Sequence, residues 1–261
     1  MAHRSLLKYI DSREIDLRQL DLSKTASMPC HSCGDTHKGW VRIINEDAYL
    51  ELPDAKLWAV ADGMGGHKRG DYASKAVVKA LRGFSNQGSL INIVEDLQHR
   101  LLEANNTCQH AFRARRVGST VALLFEHRGY CFFLWAGDSR IYRLRNDKLE
   151  PMTHDHSLAQ EKFETGELNQ DEAATHPSAH ILTRAIGVHR NLKLELNCCP
   201  VEPGDRYLLC SDGLYGEIDA EQIHSQLSND KPREALNGLM ASALANSGRD
   251  NITAIIVDFE P

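Results

Sequence analysis

Two spacings of hydrophobic residues alternate along the chain and predict its secondary structure. Short apolar runs bounded by turn residues are typical of buried strands, and they occur at residues 40–44, 48–52, 56–62, 119–125, 130–136, 140–145, 193–199, 206–212 and 252–259. Apolar residues at helical spacing predict helices at about 70–84, 89–115, 220–227 and 233–246. The strands come in runs with paired helices between them. The pattern therefore favours two packed antiparallel sheets covered by helices over a doubly wound parallel sheet.

The first 38 residues have a different pattern and are predicted to be a leader before a single domain of residues 39–261. The apolar residues of this segment follow a spacing that suggests a short amphipathic helix: Leu6, Leu7 and Ile10, then Leu17, Leu20 and Leu22. Such a helix would pack against the domain or contact a partner, and the sequence does not choose between the two. The chain of 261 residues is long enough for one sizeable core.

Charge and composition narrow the function classes. The net charge is −6, with acidic and basic residues interspersed, so nothing indicates a nucleic-acid surface. No apolar stretch approaches the ~20 residues that span a bilayer, and the first residues lack the apolar core of a secretory signal. The seven cysteines are an odd number, and Cys131 and Cys210 lie inside apolar runs. Reduced, buried thiols fit a cytoplasmic protein.

One pair of cysteines leaves two interpretations open. Cys30 and Cys33, with His31 and His37 nearby, resemble half of a zinc site. The adjacent Cys198 and Cys199 cannot provide the usual spaced second half. We therefore expect a loop with incidental thiols.

Four aspartates in short motifs carry the strongest chemical signal. Asp62, Asp138 and Asp212 each end a strand-like apolar run, and Asp250 stands just before the run 252–259. Magnesium and manganese prefer oxygen ligands, and carboxylates held on rigid elements supply them. An aspartate beside a glycine is more often a turn residue. However, four repeats of strand, acid and tight turn together favour metal binding.

The order of the motifs resembles the type 2C (PPM) family of metal-dependent protein Ser/Thr phosphatases, in its bacterial form. The resemblance covers about residues 39–259. It rests on GWVRIINEDAYL (39–50), WAVADGMGGHKRGDYAS (58–74), GSTVALL (118–124), LWAGDSRIYRL (134–144), MTHDHSLAQ (152–160), HPSAHILTRAIG (176–187), DRYLLCSDGLYGEI (205–218) and DNITAIIV (250–257). It implies an α+β fold in which a central β-sandwich of two antiparallel sheets is flanked by helices. It also implies hydrolysis of phosphoserine and phosphothreonine by a metal-activated water.

The resemblance also implies a set of metal ligands for two Mn²⁺ or Mg²⁺ ions and for a third, weaker ion. Asp62 would bridge the two ions, and the Gly63 carbonyl would serve one of them. Asp212 and Asp250 would hold the first ion, and Glu46 the second. Asp138 would hold the weaker third ion with Asp212.

Other residues of these motifs are expected to bind substrate or support the ligands. Arg42, four residues before Glu46, would bind the substrate phosphate because a guanidinium offers two parallel donors to two oxygens. Asp47 and Asn251 would orient the ligands from behind. Eukaryotic relatives often place a histidine, assigned as general acid, directly after the Asp-Gly pair; here Met64 stands there, and His67 is expected in a solvated loop.

Residues 153–180 resemble the family's flap beside the active site, where we expect substrate choice to be made. Two rivals stay open: a binding module that has lost catalysis, and a phosphoesterase acting on small molecules. The intact ligand set speaks against the first. The shallow cleft that the family implies speaks against the second.

Within the bacterial group, three stretches are most similar to phosphatases encoded with type VI secretion systems. They are THKGWVRIINEDAYLELP, DYAS and RYLLCSDGLY. This resemblance implies a phosphoprotein substrate, a cognate Ser/Thr kinase and its forkhead-associated target as partners.

Overall fold

A computed structural model describes residues 10–11, 17, 20, 22, 27–65, 69–112 and 117–260. The strands are β1 (Ile10–Asp11), β2 (Cys30–His37), β3 (Ala48–Leu52), β4 (Leu57–Ala61), β5 (Gly63–Met64), β6 (Gly118–Ser119), β7 (Val121–His127), β8 (Tyr130–Ala136), β9 (Arg140–Arg145), β10 (Lys148–Pro151), β11 (Leu194–Pro200), β12 (Arg206–Cys210) and β13 (Ile252–Phe259). The helices are α1 (Gly70–Leu81), α2 (Leu90–Ala111), α3 (Leu158–Glu164), α4 (Gln170–Thr175), α5 (Asp212–Tyr215), α6 (Ala220–Leu227) and α7 (Pro232–Asn246).

Two large sheets form the centre of the fold. One has six strands in the order β1-β11-β8-β7-β4-β3, and the other has five in the order β10-β9-β12-β13-β2. Their strand pairs are antiparallel, except that β1 pairs parallel with β11. A short pair, β5 and β6, stands apart from both sheets.

Each sheet is buried on both faces, which explains the continuous apolar runs in the sequence. Trp58, Phe133 and Tyr207 belong to the cluster between the sheets. On the outer faces, α1 and α2 cover the six-stranded sheet, and α6 and α7 cover the five-stranded sheet. The predicted sandwich of two sheets between helical layers is confirmed.

The prediction of a strand at residues 40–44 is wrong. Residues 38–47 contain no strand, and the side chains of Trp40, Val41 and Ile43 are 64%, 67% and 88% exposed. The run is apolar and β-branched, but the Trp40 N–H donates to the Gly248 carbonyl and the Ile44 carbonyl accepts from the Asn251 side chain. Tertiary contacts override local propensity here.

A strand that the sequence pattern did not predict lies just before that loop. β2 pairs with β13 over its whole length, from Cys30 opposite Phe259 to His37 opposite Ile252. It is an edge strand, and its polar composition suits an exposed edge but gives no apolar alternation to detect. The five-stranded sheet therefore extends into the segment that we assigned to the leader.

The strand also removes the possible zinc half-site. Residues three apart on a strand point to opposite faces, and Cys33 packs under the outer helices whereas Cys30 packs between the sheets. All seven cysteines are free, with Cys131 and Cys210 buried as predicted.

Only part of the leader can be compared with its prediction. Ile10 lies in β1, opposite Leu194, so the predicted helix is wrong at that position. Leu17 is buried in the core under α1 and α2, and Leu20 and Leu22 pack against that core. The other predicted helix positions, Leu6 and Leu7, lie outside the described residues. Within the described part of the chain, no helix is long and apolar enough to cross a membrane.

Candidate metal centre

The strand register brings the four motif aspartates to one end of the sandwich. Asp62 follows β4 and Asp138 follows β8, and these two strands end on either side of the start of β7. Asp212 follows β12, and Asp250 precedes β13, the antiparallel neighbour of β12. The predicted position of each aspartate at a strand end is therefore observed.

The backbone of Asp62 is held by a residue that the sequence analysis missed. The Asp62 N–H donates to Thr120 Oγ1 at 2.9 Å, and the Thr120 N–H donates to the Asp62 carbonyl at 2.8 Å. The Thr120 hydroxyl also shares a 2.7 Å hydrogen bond with Ser139. These bonds fix Asp62 against the neighbouring strand, and the only sequence signal was the motif GSTVALL around Thr120.

Close backbone approach explains the glycine after Asp62. A Cβ at Gly63 would lie 2.2 Å from the Gly70 carbonyl oxygen, so no larger residue fits there without a shift of the N-terminus of α1. Gly213 is similar, since a Cβ there would lie 2.0 Å from the Asn251 carbonyl oxygen. Each of the two Asp-Gly pairs is thus packed against a backbone carbonyl, that of Gly70 in one case and that of Asn251 in the other.

The loop of residues 38–47 is held in place by Asn251. Its amide Nδ2 donates to the carbonyls of Lys38 and Ile44 at 2.8 and 3.0 Å, and its Oδ1 accepts from the Glu46 N–H at 2.8 Å. The Glu46 carboxylate accepts in turn from the Gly70 N–H at 3.0 Å. Asn251 therefore bonds to the backbone on both sides of Arg42 and at Glu46, and its role in supporting a metal ligand stays a prediction.

Asp47 lies behind the centre, between the two sheets. Its Oδ2 accepts from Ser211 Oγ at 2.8 Å and from Thr253 Oγ1 at 2.7 Å. The sequence analysis did not single out these two partners. Ser211 directly precedes Asp212, and Thr253 lies in β13, three residues after Asp250. The other oxygen of Asp47, Oδ1, is buried without a hydrogen-bond partner.

The carboxyl groups are buried close together and disturb one another. Burial, followed by the charges of Asp47, Asp212 and Asp138, raises the pKa of Asp62 well above its ordinary value. Burial and then the charge of Asp212 raise the pKa of Asp138 to about 8. Burial is also the main cause that raises the pKa of Asp47 to about 7 and that of Asp212 above normal. The centre concentrates negative charge that a cation would stabilise.

Arg42 contributes a cation at the rim of the centre. Its Nη2 lies 2.5 Å from Asp250 Oδ2, and both side chains are partly exposed. The charges of Asp212 and Glu46 also act on its guanidinium. Arg42 is thus beside the predicted metal ligands and open to solvent, where an incoming phosphate could reach it.

The turn that carries Asp138 has supports of its own. The Tyr215 hydroxyl donates to the Asp138 carbonyl at 2.9 Å. His156 Nδ1 accepts from the Gly137 N–H at 3.2 Å, and the Gly137 carbonyl accepts from the His156 N–H at 2.9 Å. His156 is buried. These contacts tie the start of the predicted flap to the turn before Asp138.

The donor set fits hard divalent cations. It consists of carboxylates and a backbone carbonyl, the ligands that Mg²⁺ and Mn²⁺ prefer. Asp212 Oδ1, like Asp47 Oδ1, is a buried oxygen without a hydrogen-bond partner. Uncompensated buried carboxylate oxygens are costly, and a bound cation would remove that cost.

A second group of possible metal ligands lies elsewhere. Among the described residues, His154, His156 and Glu195 are the one group whose ligand atoms all lie within 4.8 Å of one another. Arg184 Nη1 already lies 3.1 Å from Glu195 Oε2, so this group is neutralised without a metal. Among the described residues, no three of the motif aspartates meet that distance criterion.

Comparison with known proteins identifies the family. The family model described as "Protein phosphatase 2C" matches residues 33–254. The chain belongs to the protein phosphatase 2C family. The resemblance found in the sequence motifs is confirmed, and the match begins inside β2, before the predicted domain boundary at residue 39.

Several relatives within the protein phosphatase 2C family are similar over nearly the whole chain. The serine/threonine phosphatase stp of Listeria innocua is 31% identical over 235 residues, covering 85% of this chain and 93% of that protein. A solved structure described as PppA, a key regulatory component of T6SS in Pseudomonas aeruginosa, is 41% identical. It covers 88% of this chain and 98% of that one, with a TM-score of 0.81.

A further solved structure shows the metals of a relative. The catalytic domain of the serine/threonine protein phosphatase PstP, in complex with two manganese ions, is 28% identical, with a TM-score of 0.80 over 90% of this chain and all of that one. The predicted enzyme class, a protein Ser/Thr phosphatase that uses manganese or magnesium, is confirmed by these matches. The roles of individual residues stay predictions. His67 lies outside the described residues.

Proposed function

We propose that this phosphatase hydrolyses phosphoserine and phosphothreonine in proteins at the end of the sandwich where the four aspartates meet. The observation that carries the proposal is the gathering of buried carboxyl groups with raised pKa values beside the exposed cation of Arg42. Asp62, Gly63, Asp212, Asp250 and Glu46 would hold two ions, and Asp138 a third with Asp212. When bound, such ions neutralise phosphoryl oxygens and lower the pKa of a bound water.

The residues of the chain would then bind and orient the substrate. The Arg42 side chain is 52% exposed and lies against Asp250. Its guanidinium can therefore bind a phosphate either in place of the Asp250 carboxylate or together with it. Two parallel N–H donors on two phosphate oxygens would fix the ester for in-line attack. Asn251 would keep Arg42 in register, because it holds the loop on both sides of Arg42, at Lys38 and Ile44.

The proposed cellular context is a bacterial type VI secretion system, in the cytoplasm. It is supported by the 41% identity to PppA, which is described as a regulatory component of T6SS, and by seven free cysteines. In that setting the phosphatase would oppose a Ser/Thr kinase acting on a forkhead-associated protein. Deletion of the gene should raise phosphorylation of that protein and alter secretion; unchanged levels of both would contradict this context.

The test of the catalytic proposal is phosphate release from a phosphothreonine peptide with Mn²⁺. We expect activity in the wild type that is abolished both by a chelator and by Asp62→Asn, because Asp62 is the proposed bridging ligand. Calorimetric titration with Mn²⁺ should show weakened binding in the same variant. Asp54→Asn is the matched control, since Asp54 is exposed on the turn Pro53–Ala55, and it should behave as wild type.

Two results would contradict the proposal in different ways. A wild type that binds phosphopeptide but releases no phosphate with Mn²⁺ or Mg²⁺ would be a binding module. A wild type that hydrolyses small phosphate esters much faster than phosphopeptides would be a phosphoesterase of small molecules.

A further inference from the structure

The loop around Arg42 exposes an unusual number of apolar side chains. Among the described residues, six large hydrophobic side chains are exposed, and three of them are Trp40, Val41 and Ile43. Ile43 is 88% exposed and Val41 is 67% exposed. Scattered exposed apolar residues need no explanation, but a contiguous patch marks an interaction surface. We call the side chains of Val41 and Ile43 the apolar flank of Arg42.

The fold does not require this apolar flank, because other contacts hold the loop. The Trp40 N–H donates to the Gly248 carbonyl at 2.7 Å, and the Trp40 indole N–H donates to the Leu244 carbonyl at 2.9 Å. Asn251 holds the other side of the loop through Ile44 and Glu46. The loop is therefore anchored at both ends, while the two side chains next to Arg42 project into solvent.

The contact between Arg42 and Asp250 places the apolar flank near the proposed metal centre. Arg42 Nη2 lies 2.5 Å from Asp250, a proposed metal ligand, so a phosphate bound by Arg42 lies at the metal centre. The residues that neighbour the phosphorylated one in the peptide then lie near the loop that carries Arg42. Side chains next to the phosphorylated residue come within reach of Val41 and Ile43.

We propose that Val41 and Ile43 form a docking surface for apolar side chains adjacent to the phosphorylated serine or threonine. The preferred substrate is thus a phosphopeptide with an apolar neighbour, and not one flanked only by polar or charged residues. The binding energy comes from removing these side chains from water, and it acts mainly on substrate affinity. This inference rests on the proposed function and specifies its substrate class.

The experiment compares two phosphothreonine peptides, one with leucine on both sides of the phosphothreonine and one with serine. For the wild type we expect KM to be about tenfold lower for the leucine peptide, the effect of burying part of two aliphatic side chains. The double variant Val41→Ser with Ile43→Ser should lose most of this preference, with kcat nearly unchanged. Hydrolysis of p-nitrophenyl phosphate, which has no peptide neighbours, should stay at the wild-type level.

Two controls separate docking from indirect effects. Ile43→Leu keeps an apolar side chain and should retain the preference. Thermal unfolding is the second control. It should match the wild type in all of these variants, because Val41 and Ile43 are 67% and 88% exposed.

The outcomes distinguish this inference from the proposed function. A wild type that hydrolyses both peptides with equal KM, or a double variant that keeps the preference, overturns the docking surface and leaves the phosphatase activity standing. A wild type that hydrolyses neither peptide overturns the proposed function itself.

Discussion

Replacement of Asn251 by alanine is expected to loosen the loop that carries Arg42 and Glu46. Asn251 is 4% exposed, and its side chain makes three hydrogen bonds of 2.8 to 3.0 Å, to Lys38, Ile44 and Glu46. Alanine removes all three and leaves two carbonyls and an N–H to find other partners. The perturbation therefore acts on the loop, including the backbone N–H of Glu46, a proposed metal ligand.

The magnitude follows from the number of bonds. Each intramolecular hydrogen bond contributes about 1 kcal/mol net, so the three together predict a loss of about 3 kcal/mol in the free energy of unfolding. For a domain of this size, 1 kcal/mol corresponds to about 2–4 °C in Tm, which gives a decrease of roughly 6–12 °C. Activity should fall with both phosphopeptide and p-nitrophenyl phosphate, because both depend on Arg42 and Glu46.

Urea denaturation of the chelator-treated protein measures the first effect, and steady-state kinetics with Mn²⁺ the second. Asn229→Ala is the matched control, since Asn229 is exposed and its side chain makes one hydrogen bond, from the Lys231 N–H at 3.0 Å; it should change stability by less than about 0.5 kcal/mol. A stability of Asn251→Ala within that same margin would refute the reasoning, because the loop would then be held by other contacts. Lost stability with full activity would show instead that the loop does not position Arg42.

Two further predictions concern the carboxyl cluster and its glycine. Burial raises the pKa of Asp47 from 3.8 to about 7, so the folded state keeps a proton that the unfolded state releases. The free energy of unfolding of the metal-free protein should therefore fall as the pH rises from about 4 through about 7. Asp47→Asn should flatten that decrease in urea titrations at several pH values. A slope equal to that of the wild type would contradict this assignment. Gly63→Ala should destabilise the metal-free protein by about 2–3 kcal/mol, because its Cβ would lie 2.2 Å from the Gly70 carbonyl oxygen. Gly166→Ala is the control, since a Cβ there meets nothing within 4 Å. Only the strain of its φ of +77° remains, a cost of about 1 kcal/mol. Equal effects of the two substitutions on Tm would show that the N-terminus of α1 shifts at little cost in free energy.

The central strands were predictable because burial on both faces leaves a strong local signal. β7 and β8 are apolar at nearly every position, and the structure buries both faces of their sheet. β2 was not predictable in this way, since it is a polar edge strand. Its place in the sheet is set by hydrogen bonds to β13, more than 200 residues later in the chain, and no local pattern contains that information.

The site was predictable in its charged residues and not in the hydroxyls that support them. An aspartate after an apolar run is visible in a sequence, and the family motifs add its expected role. Thr120, Ser211, Thr253 and Tyr215 hold the aspartates or their neighbours in place. A single Ser, Thr or Tyr side chain has no periodicity and occurs in every kind of element, so no local pattern points to these four.

The wrong prediction at residues 40–44 and the inference about substrate docking have the same physical origin. In a half-buried strand, Val41 and Ile43 would share one face, and that apolar face would be buried. Here both β-branched side chains are exposed, on either side of Arg42 in the sequence. Local rules fail most often at functional sites, where a residue is retained for something other than the fold. β-branched side chains that stabilise neither a strand nor a core, beside a proposed phosphate-binding arginine, are best explained by a partner that covers them during catalysis.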